Sequence, residues 1–220
     1  MAFNSLFVSQ DDGKTFVRQE SKSPDANIVW DALAFETPQQ GVVVVGPTSE
    51  GLIHTSDGGA TWTKSALPSM PRPGSFELGD PVVAGSTIEI PMSTQSATSA
   101  NVSSFTFLVS TDGGATFSNG PVLNLPDGQS VSASDGQRTW VVSSTGATIY
   151  ESADNGQTWA SVKAKGLPQN LASLALAGAH SATAVVATHG CTGVKTGCWQ
   201  NTYLISTTDD GRTWSQLTTN

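Results

Sequence analysis

Four carboxylates stand in or beside stretches of the chain that are predicted to connect strands: Asp31, Glu77, Asp80 and Asp127. Two carboxyl groups about 5–10 Å apart across a cleft can act as the acid and the base or nucleophile of glycoside hydrolysis. These four residues are therefore the candidates for a catalytic pair. The alternative is that each is a solvated loop acid or a turn cap.

A second set of residues could bind a ligand without reacting with it, and its members are Trp30, Arg72, His189, Lys195 and Trp199. The last three lie in a predicted long loop from Thr188 to Asn201. An exposed tryptophan on a constrained loop commonly contacts a sugar or a protein. A packing role for Trp199 remains equally open.

The same loop contains both cysteines of the chain, Cys191 and Cys198. Their short separation and the glycines near them favour a disulfide that closes the loop if the protein is exported, whereas a reducing compartment would keep two thiols. A metal site is the weaker interpretation, because His189 is the only imidazole nearby and a structural zinc needs four ligands. The sequence predicts neither a metal nor a cofactor.

Composition excludes several classes of partner. The 220 residues include ten Lys and Arg against eighteen Asp and Glu, which gives a net charge of −8. Such a chain lacks the basic face that nucleic acids and anionic membranes require. No apolar run approaches the ~20 residues of a membrane span, and the first residues do not form a signal peptide.

The strongest signal is a pattern, Ser/Thr-x-Asp-x-Gly-x-Thr-aromatic, that occurs five times at intervals of 42 to 55 residues. Repeats of this length are typical of propeller blades. We call each copy a repeated turn. The Asp, Gly and aromatic positions of the five copies are Asp11, Gly13, Phe16; Asp57, Gly59, Trp62; Asp112, Gly114, Phe117; Asp154, Gly156, Trp159; and Asp209, Gly211, Trp214.

Each part of the pattern has a physical role. The central glycine tolerates a positive φ, and the carboxylate can accept hydrogen bonds from backbone N–H groups of its own turn. An apolar residue stands two positions before each Ser or Thr: Phe7, Ile53, Leu108, Tyr150 and Ile205. One buried apolar anchor is therefore expected to enter each turn, and one aromatic anchor to leave it.

The pattern resembles the Asp-box (BNR) repeat family, which includes sialidases, some xyloglucanases, sortilin-type receptor domains and a photosystem II assembly factor. The resemblance implies a β-propeller in which the box joins the third and fourth strands of a blade. It also implies that the boxes lie away from the ligand-binding face, so they say little about chemistry.

The predicted fold is an all-β propeller of four-stranded antiparallel blades in one domain. Only the outer half of the first blade is expected, and four complete blades follow. An unfilled half blade would expose apolar faces and strand edges. This predicts a fragment of a larger propeller, an unusual closure, or self-association through an incomplete ring. The predicted segments are 1–20 for the half blade and 28–66, 75–122, 128–164 and 170–220 for the blades.

A working sialidase is not predicted, because that resemblance implies an arginine triad, and Arg18 and Arg212 fall on an outer strand and in a repeated turn. The leading hypothesis is a non-catalytic binding or interaction scaffold, extracellular or in the cell envelope, with a carbohydrate or protein ligand. The alternatives are a sialidase-like or xyloglucanase-like glycoside hydrolase or a fragment of one, and an assembly factor resembling the photosystem II protein. Enzyme status stays open.

Overall fold

The structure is a computed structural model, and the residues that it describes are 6–24, 29–46, 51–70, 76–95, 102–125, 129–143, 147–191 and 198–217. All regular secondary structure in these ranges is β-strand. The described residues include no helix long and apolar enough to cross a membrane.

The chain divides into two compact units, of which the first comprises Met1–Thr94 and Thr106–Pro121. Its strands begin with a two-stranded sheet, followed by a four-stranded sheet in the order β3-β4-β5-β6. The bounds are β1 Leu6–Val8, β2 Val17–Gln19, β3 Trp30–Phe35, β4 Gly41–Val45, β5 Gly51–Thr55 and β6 Thr63–Lys64.

Further along the chain, strands β7 to β12 form a six-stranded sheet with the path β11-β10-β9-β7, in which β8 pairs with β9 and β12 pairs with β10. The strands β7 and β8 pair with the two ends of the long strand β9, so together they replace a single inner strand. The bounds are β7 Phe76–Leu78, β8 Val82–Ala84, β9 Thr87–Gln95, β10 Val102–Ser110, β11 Ser118–Asn119 and β12 Leu123–Asn124.

The second unit comprises Gln95–Phe105 and Val122–Asn220. It contains two four-stranded sheets in the orders β13-β14-β15-β16 and β17-β18-β19-β20. The bounds are β13 Gln129–Ser134, β14 Thr139–Ser143, β15 Thr148–Ser152, β16 Ala160–Lys163, β17 Leu171–Leu176, β18 Ala182–Cys191, β19 Cys198–Thr207 and β20 Ser215–Gln216.

In two of the four-stranded sheets the second strand is covered on both faces. Every residue of β4 is buried, and so is every residue of β14. The four valines of β4 alternate between two clusters, since successive side chains of a strand point to opposite faces. Val42 and Val44 join one core of the first unit, and Val43 and Val45 join the other.

The sheets confirm the predicted fold class, an all-β propeller of antiparallel blades. Each four-stranded sheet runs from its first to its fourth strand in chain order, with a repeated turn between the third and the fourth. The two-stranded sheet of β1 and β2 is the predicted outer half of a blade.

The first repeated turn departs from the expectation of two buried anchors. Ile53 with Trp62, Leu108 with Phe117, and Ile205 with Trp214 are buried pairs. Tyr150 and Trp159 are half-buried. Phe7 and Phe16, in contrast, are 56% and 62% exposed, so the prediction was wrong for this copy. The reason is that only one face of the β1–β2 sheet packs against the rest of the first unit. Leu6 lies on that face and joins a core of the unit.

Candidate functional site

A groove of about 430 Å³ opens in the first unit, and it contains two of the predicted acids. Its apolar part consists of Val44, Val45, Phe76 and Leu78, together with the backbone of Gly46. Asp31 and Glu77 line the same groove, and both residues are exposed. We call this feature the acidic groove.

A β-bulge supplies Asp31. In the pairing of β3 with β4, Trp30 lies opposite Val45 and Ala32 lies opposite Val44, so Asp31 is an extra residue without a counterpart. Bulges change the direction of a side chain and are common beside functional sites. The same irregularity occurs in β17 between Leu171 and Ser173, where the extra residue is an alanine. The bulge thus recurs at the same position in two sheets, whereas a carboxylate occupies the extra position only in β3.

Alternation along β7 supplies the other side of the acidic groove. Phe76 is buried, Glu77 is exposed and Leu78 is half-buried. Asp80, two residues beyond this strand, is exposed and does not line the groove. Neither Asp31 nor Glu77 has an ion-pair partner among the described residues. Asp127, the fourth predicted acid, lies outside the described residues.

The predicted ligand-binding residues do not gather at one place. The ring of Trp30 packs against that of Trp62, with centroids 5.1 Å apart and planes inclined by 60°. His189 and Trp199 fall near the ends of β18 and β19, where their backbones pair with Gln200 and Gly190. The side chains of His189 and Trp199 lie outside the described part of the chain, as do Arg72 and Lys195.

Strands β18 and β19 form a long hairpin whose last pair brings the two cysteines to the same register position, with Cys191 opposite Cys198. Strand β17 pairs with β18 only as far as Val186. The N–H of Ala187 donates to Asn170 O at 3.0 Å, and the last four pairs, from Thr188 opposite Asn201 to the cysteines, form a two-stranded ribbon.

Comparison with known proteins identifies similar folds among solved structures, although it finds no match in sequence. No protein-family model matches the chain, and no curated protein matches it in sequence. Among solved structures, YCF48 bound to a D1 peptide matches with a TM-score of 0.52 and 14% identity over 96% of this chain and 74% of that one. YCF48 from Cyanidioschyzon merolae matches with a TM-score of 0.56 and 17% identity over 86% of this chain and 56% of that one.

Two glycosidase structures match equally well. The Niastella koreensis GH74 enzyme has a TM-score of 0.54 and 20% identity, over 96% of this chain and 34% of that enzyme. Trypanosoma rangeli sialidase has a TM-score of 0.52 and 14% identity, over 98% of this chain and 43% of the sialidase. The fold is that of a sialidase-like β-propeller. At these identities the likeness concerns the fold alone.

Within this sialidase-like propeller, the structure describes three arginines, and two of them form ion pairs away from the acidic groove. Arg18 lies on the exposed strand β2. Arg138 forms an ion pair of 2.9 Å with Asp135 and donates hydrogen bonds to the backbone oxygens of Gly178 and Ala179. Arg212 lies in the fifth repeated turn and pairs with Asp210 at 3.1 Å. None of these three lines the acidic groove, so the described residues hold no arginine triad there.

The five repeated turns of the sialidase-like propeller share one network of hydrogen bonds. The first Ser or Thr hydroxyl donates to Asp Oδ1 at 2.8–2.9 Å and accepts from the Gly N–H at 2.8–3.2 Å. The later Thr donates its N–H to Oδ1 at 2.8–2.9 Å and its hydroxyl to Oδ2 at 2.6–2.7 Å. Both carboxylate oxygens are thus engaged inside the turn.

These bonds favour the ionised carboxylate. They lower the pKa of Asp11, Asp57 and Asp209 to about 2, chiefly through the hydroxyl and N–H of the later Thr. The pKa values of Asp112 and Asp154 are lowered by the same bonds. A carboxylate held in this way stays ionised at neutral pH, and its hydrogen-bonding capacity is used within its own turn. No group of three metal-ligating side chains occurs among the described residues.

Proposed function

We propose that the protein is a non-catalytic binding propeller and that the acidic groove takes an extended segment of a protein ligand. The observation that carries the proposal is the pairing of an apolar floor, Val44, Val45 and Phe76, with two exposed carboxylates that have no ion-pair partner among the described residues. Ligand sites combine apolar surface for affinity with a few polar groups for orientation in this way.

The chemistry of the groove suggests the chemistry of the ligand. Apolar side chains would cover Val45 and Phe76, and a Lys or Arg would satisfy Asp31 and Glu77. The acidic balance of the chain, −8, would attract such a basic ligand from a distance. The solved structure of YCF48 with a D1 peptide supports a peptide ligand for a propeller of this fold. The alternative that the protein is an assembly factor is compatible with this proposal, because an assembly factor would also bind a protein ligand.

A peptide titration tests the proposal. The probes are extended peptides of Leu, Val and Phe that carry either Lys and Arg or Glu at the polar positions, with binding measured by calorimetry. The basic series should bind, and binding should weaken with salt, since surface charges are screened. Asp31→Lys and Glu77→Lys should each reduce affinity about tenfold or more, a change of ~1.4 kcal/mol. Asp80→Lys is the matched control, because this exposed acid lies outside the groove lining. Equal binding of both peptide series would contradict the proposal.

A glycoside hydrolase is the second candidate, because Asp31 and Glu77 line one groove and two carboxylates in one cleft are what glycoside hydrolysis requires. The fold likeness to a GH74 enzyme and a sialidase supports testing it. A panel of aryl glycosides and β-glucan oligosaccharides would show turnover that Asp31→Asn and Glu77→Gln each abolish. If a carbohydrate binds without turnover, the protein is a non-catalytic scaffold whose ligand is a carbohydrate.

We also propose that the scaffold lies outside the cell or in its envelope. Fractionation of the producing cells would test this location.

A further inference from the structure

Strand β7 has an open edge within the acidic groove. It is the last strand in the path β11-β10-β9-β7, and its pairs with β9 run from Phe76 opposite Thr94 to Leu78 opposite Met92. No strand among the described residues pairs with its other edge. All three residues of β7 line the acidic groove, whereas β3 contributes only Asp31.

The hydrogen bond of Gly79 shows in which direction the backbone groups of β7 point. Its N–H donates at 2.8 Å to the oxygen of Pro91, which lies directly opposite when the register of β7 and β9 is continued. In an antiparallel pair, residues that bond to the partner strand alternate with residues whose N–H and C=O point away from it. Glu77 therefore bonds towards β9, and the N–H and C=O groups of Phe76 and Leu78 point to the open edge.

The side chains of β7 alternate between apolar and acidic along this edge. Phe76 is buried and Leu78 is half-buried, and both pack in the core of the first unit that contains Val44. Glu77 lies between them, is exposed and forms no ion pair within the part of the chain that the structure describes. Directly opposite side chains of paired strands stand on the same face, so an added strand would meet an apolar, an acidic and an apolar position in turn.

We propose that the extended ligand segment adds to β7 as an antiparallel strand, with an Arg or Lys opposite Glu77 and an apolar residue on either side of it. This inference rests on the proposed function and specifies how the acidic groove selects its ligand. The two apolar residues lie opposite Phe76 and Leu78 and exchange two backbone hydrogen bonds with each, so the main chain contributes affinity and the side chains contribute specificity. The groove volume of about 430 Å³ lies within the range of ligand sites.

A peptide with a single arginine tests the strand addition. The probe has blocked ends, one Arg between two Val residues, and Ser and Thr elsewhere, so that its one charge fixes the register. In an antiparallel pair the N–H groups of both Val residues point to β7, and that of the Arg points away. By calorimetry, N-methylation of either Val should weaken binding about tenfold or more, whereas N-methylation of the Arg should change it less than about threefold.

The outcomes of this scan separate the inference from the proposed function. If the unmodified peptide binds and tolerates all three N-methyl groups, antiparallel addition to β7 is overturned while the acidic groove remains a peptide site. The same holds if only the N-methyl group on the Arg weakens binding. If the unmodified peptide does not bind at all, the inference and the proposed function are both overturned.

A substitution in β7 provides the matching test on the protein. Leu78→Pro removes an N–H that points to the open edge and none that bonds to β9, and proline is tolerated at a strand edge in this orientation. Leu78→Val keeps the N–H and is the matched control for the altered side chain, with circular dichroism and melting temperature as checks of folding. Leu78→Pro should bind the single-arginine peptide about tenfold more weakly than Leu78→Val. Equal affinities would overturn the pairing, and if Leu78→Pro does not fold, the N-methyl scan decides.

A charge exchange tests the register. Glu77→Lys should prefer the same peptide with Glu in place of its Arg, because opposite charges stabilise directly opposite side chains of paired strands. Asp80→Lys is the control and should keep the preference for Arg, since Asp80 is exposed and does not line the acidic groove. A Glu77→Lys variant that still prefers the Arg peptide would overturn the placement of the basic residue.

Discussion

Thr61 gives two hydrogen bonds to Asp57, one from its backbone N–H to Oδ1 at 2.8 Å and one from its hydroxyl to Oδ2 at 2.6 Å. Thr15 and Asp11 repeat this relationship at the same two distances. One turn joins strands of a complete four-stranded sheet, and the other joins β1 and β2 alone. The same two hydrogen bonds can therefore be compared in a four-stranded sheet and in a two-stranded sheet.

Thr61→Val should lower the melting temperature by roughly 2–4 °C, because it removes one hydrogen bond to a charged group without a change in side-chain shape. Thr15→Val should lower it less, since the two-stranded sheet contributes fewer contacts to the cooperative unit. Differential scanning calorimetry of both variants checks this. An equal loss would mean that the β1–β2 sheet unfolds together with the rest of its unit.

The repeated turns should also set the acid limit of stability. The pKa of Asp57 is lowered from 3.8 to about 2 by bonds that exist only in the folded chain. A lowered folded-state pKa stabilises the fold above the unfolded value, and that contribution is lost as the pH falls from about 3.8 towards 2. Melting temperatures should therefore fall steeply over this interval. Asp57→Asn should lower stability at pH 7 and flatten the acid branch, and a branch of unchanged slope would contradict the assignment.

Gly59 and Gly13 hold the same position in two turns and should respond differently to a methyl group. Both have positive φ, +89° and +82°. A Cβ on Gly59 would stand 2.5 Å from Leu6 Cδ2, whereas a Cβ on Gly13 would meet only Phe16, at 4.0 Å. Gly13→Ala should cost about 1 kcal/mol from backbone strain. Gly59→Ala should cost roughly 2–3 kcal/mol, since the contact with Leu6 is added. Urea unfolding of the two variants measures the difference, which would vanish if Leu6 moved aside freely.

The turns could be predicted from the sequence because their bonds join residues at most four positions apart. The exposure of Phe7 and Phe16 could not, since it depends on which sheet faces them and not on their own turn. Asp31 and Glu77 were both predicted as candidate acids. The floor between them was not predicted, because Val45 and Phe76 come together across thirty residues of chain and belong to different sheets.

Glu89 is a buried acid whose removal should stabilise the protein. It is 1% exposed, and its Oε1 has no hydrogen-bond partner among the described residues. Burial raises the pKa of this carboxyl above 4.5, so its ionisation opposes folding as the pH rises above 4.5. Glu89→Gln should raise stability by about 1 kcal/mol at pH 7 and have little effect at pH 4. Equal effects at the two pH values would show that packing, and not charge, decides the outcome.

The predicted disulfide between Cys191 and Cys198 can be tested directly, since the two residues lie opposite each other in the backbone register of β18 and β19. Residues directly opposite in an antiparallel pair have Cβ atoms about 4.5–5.5 Å apart, close to what a disulfide needs. After air oxidation, alkylation should label no thiol until a reductant is added, and then two. Mass spectrometry of the Cys191→Ser variant provides the control, with one thiol always open to labelling. Two labelled thiols in the oxidised, unmodified chain would exclude the bond.

The paired strands β18 and β19 extend beyond the end of β17, the neighbouring strand of their sheet. Beyond Ala187, whose N–H still donates to Asn170 O at 3.0 Å, four residue pairs correspond to about 13 Å of two-stranded backbone with no third strand beside it among the described residues. A loop carried on such an arm can be lengthened or exchanged with little cost to the blade beneath it. The end of this ribbon is therefore the place to graft a recognition sequence or a reporter.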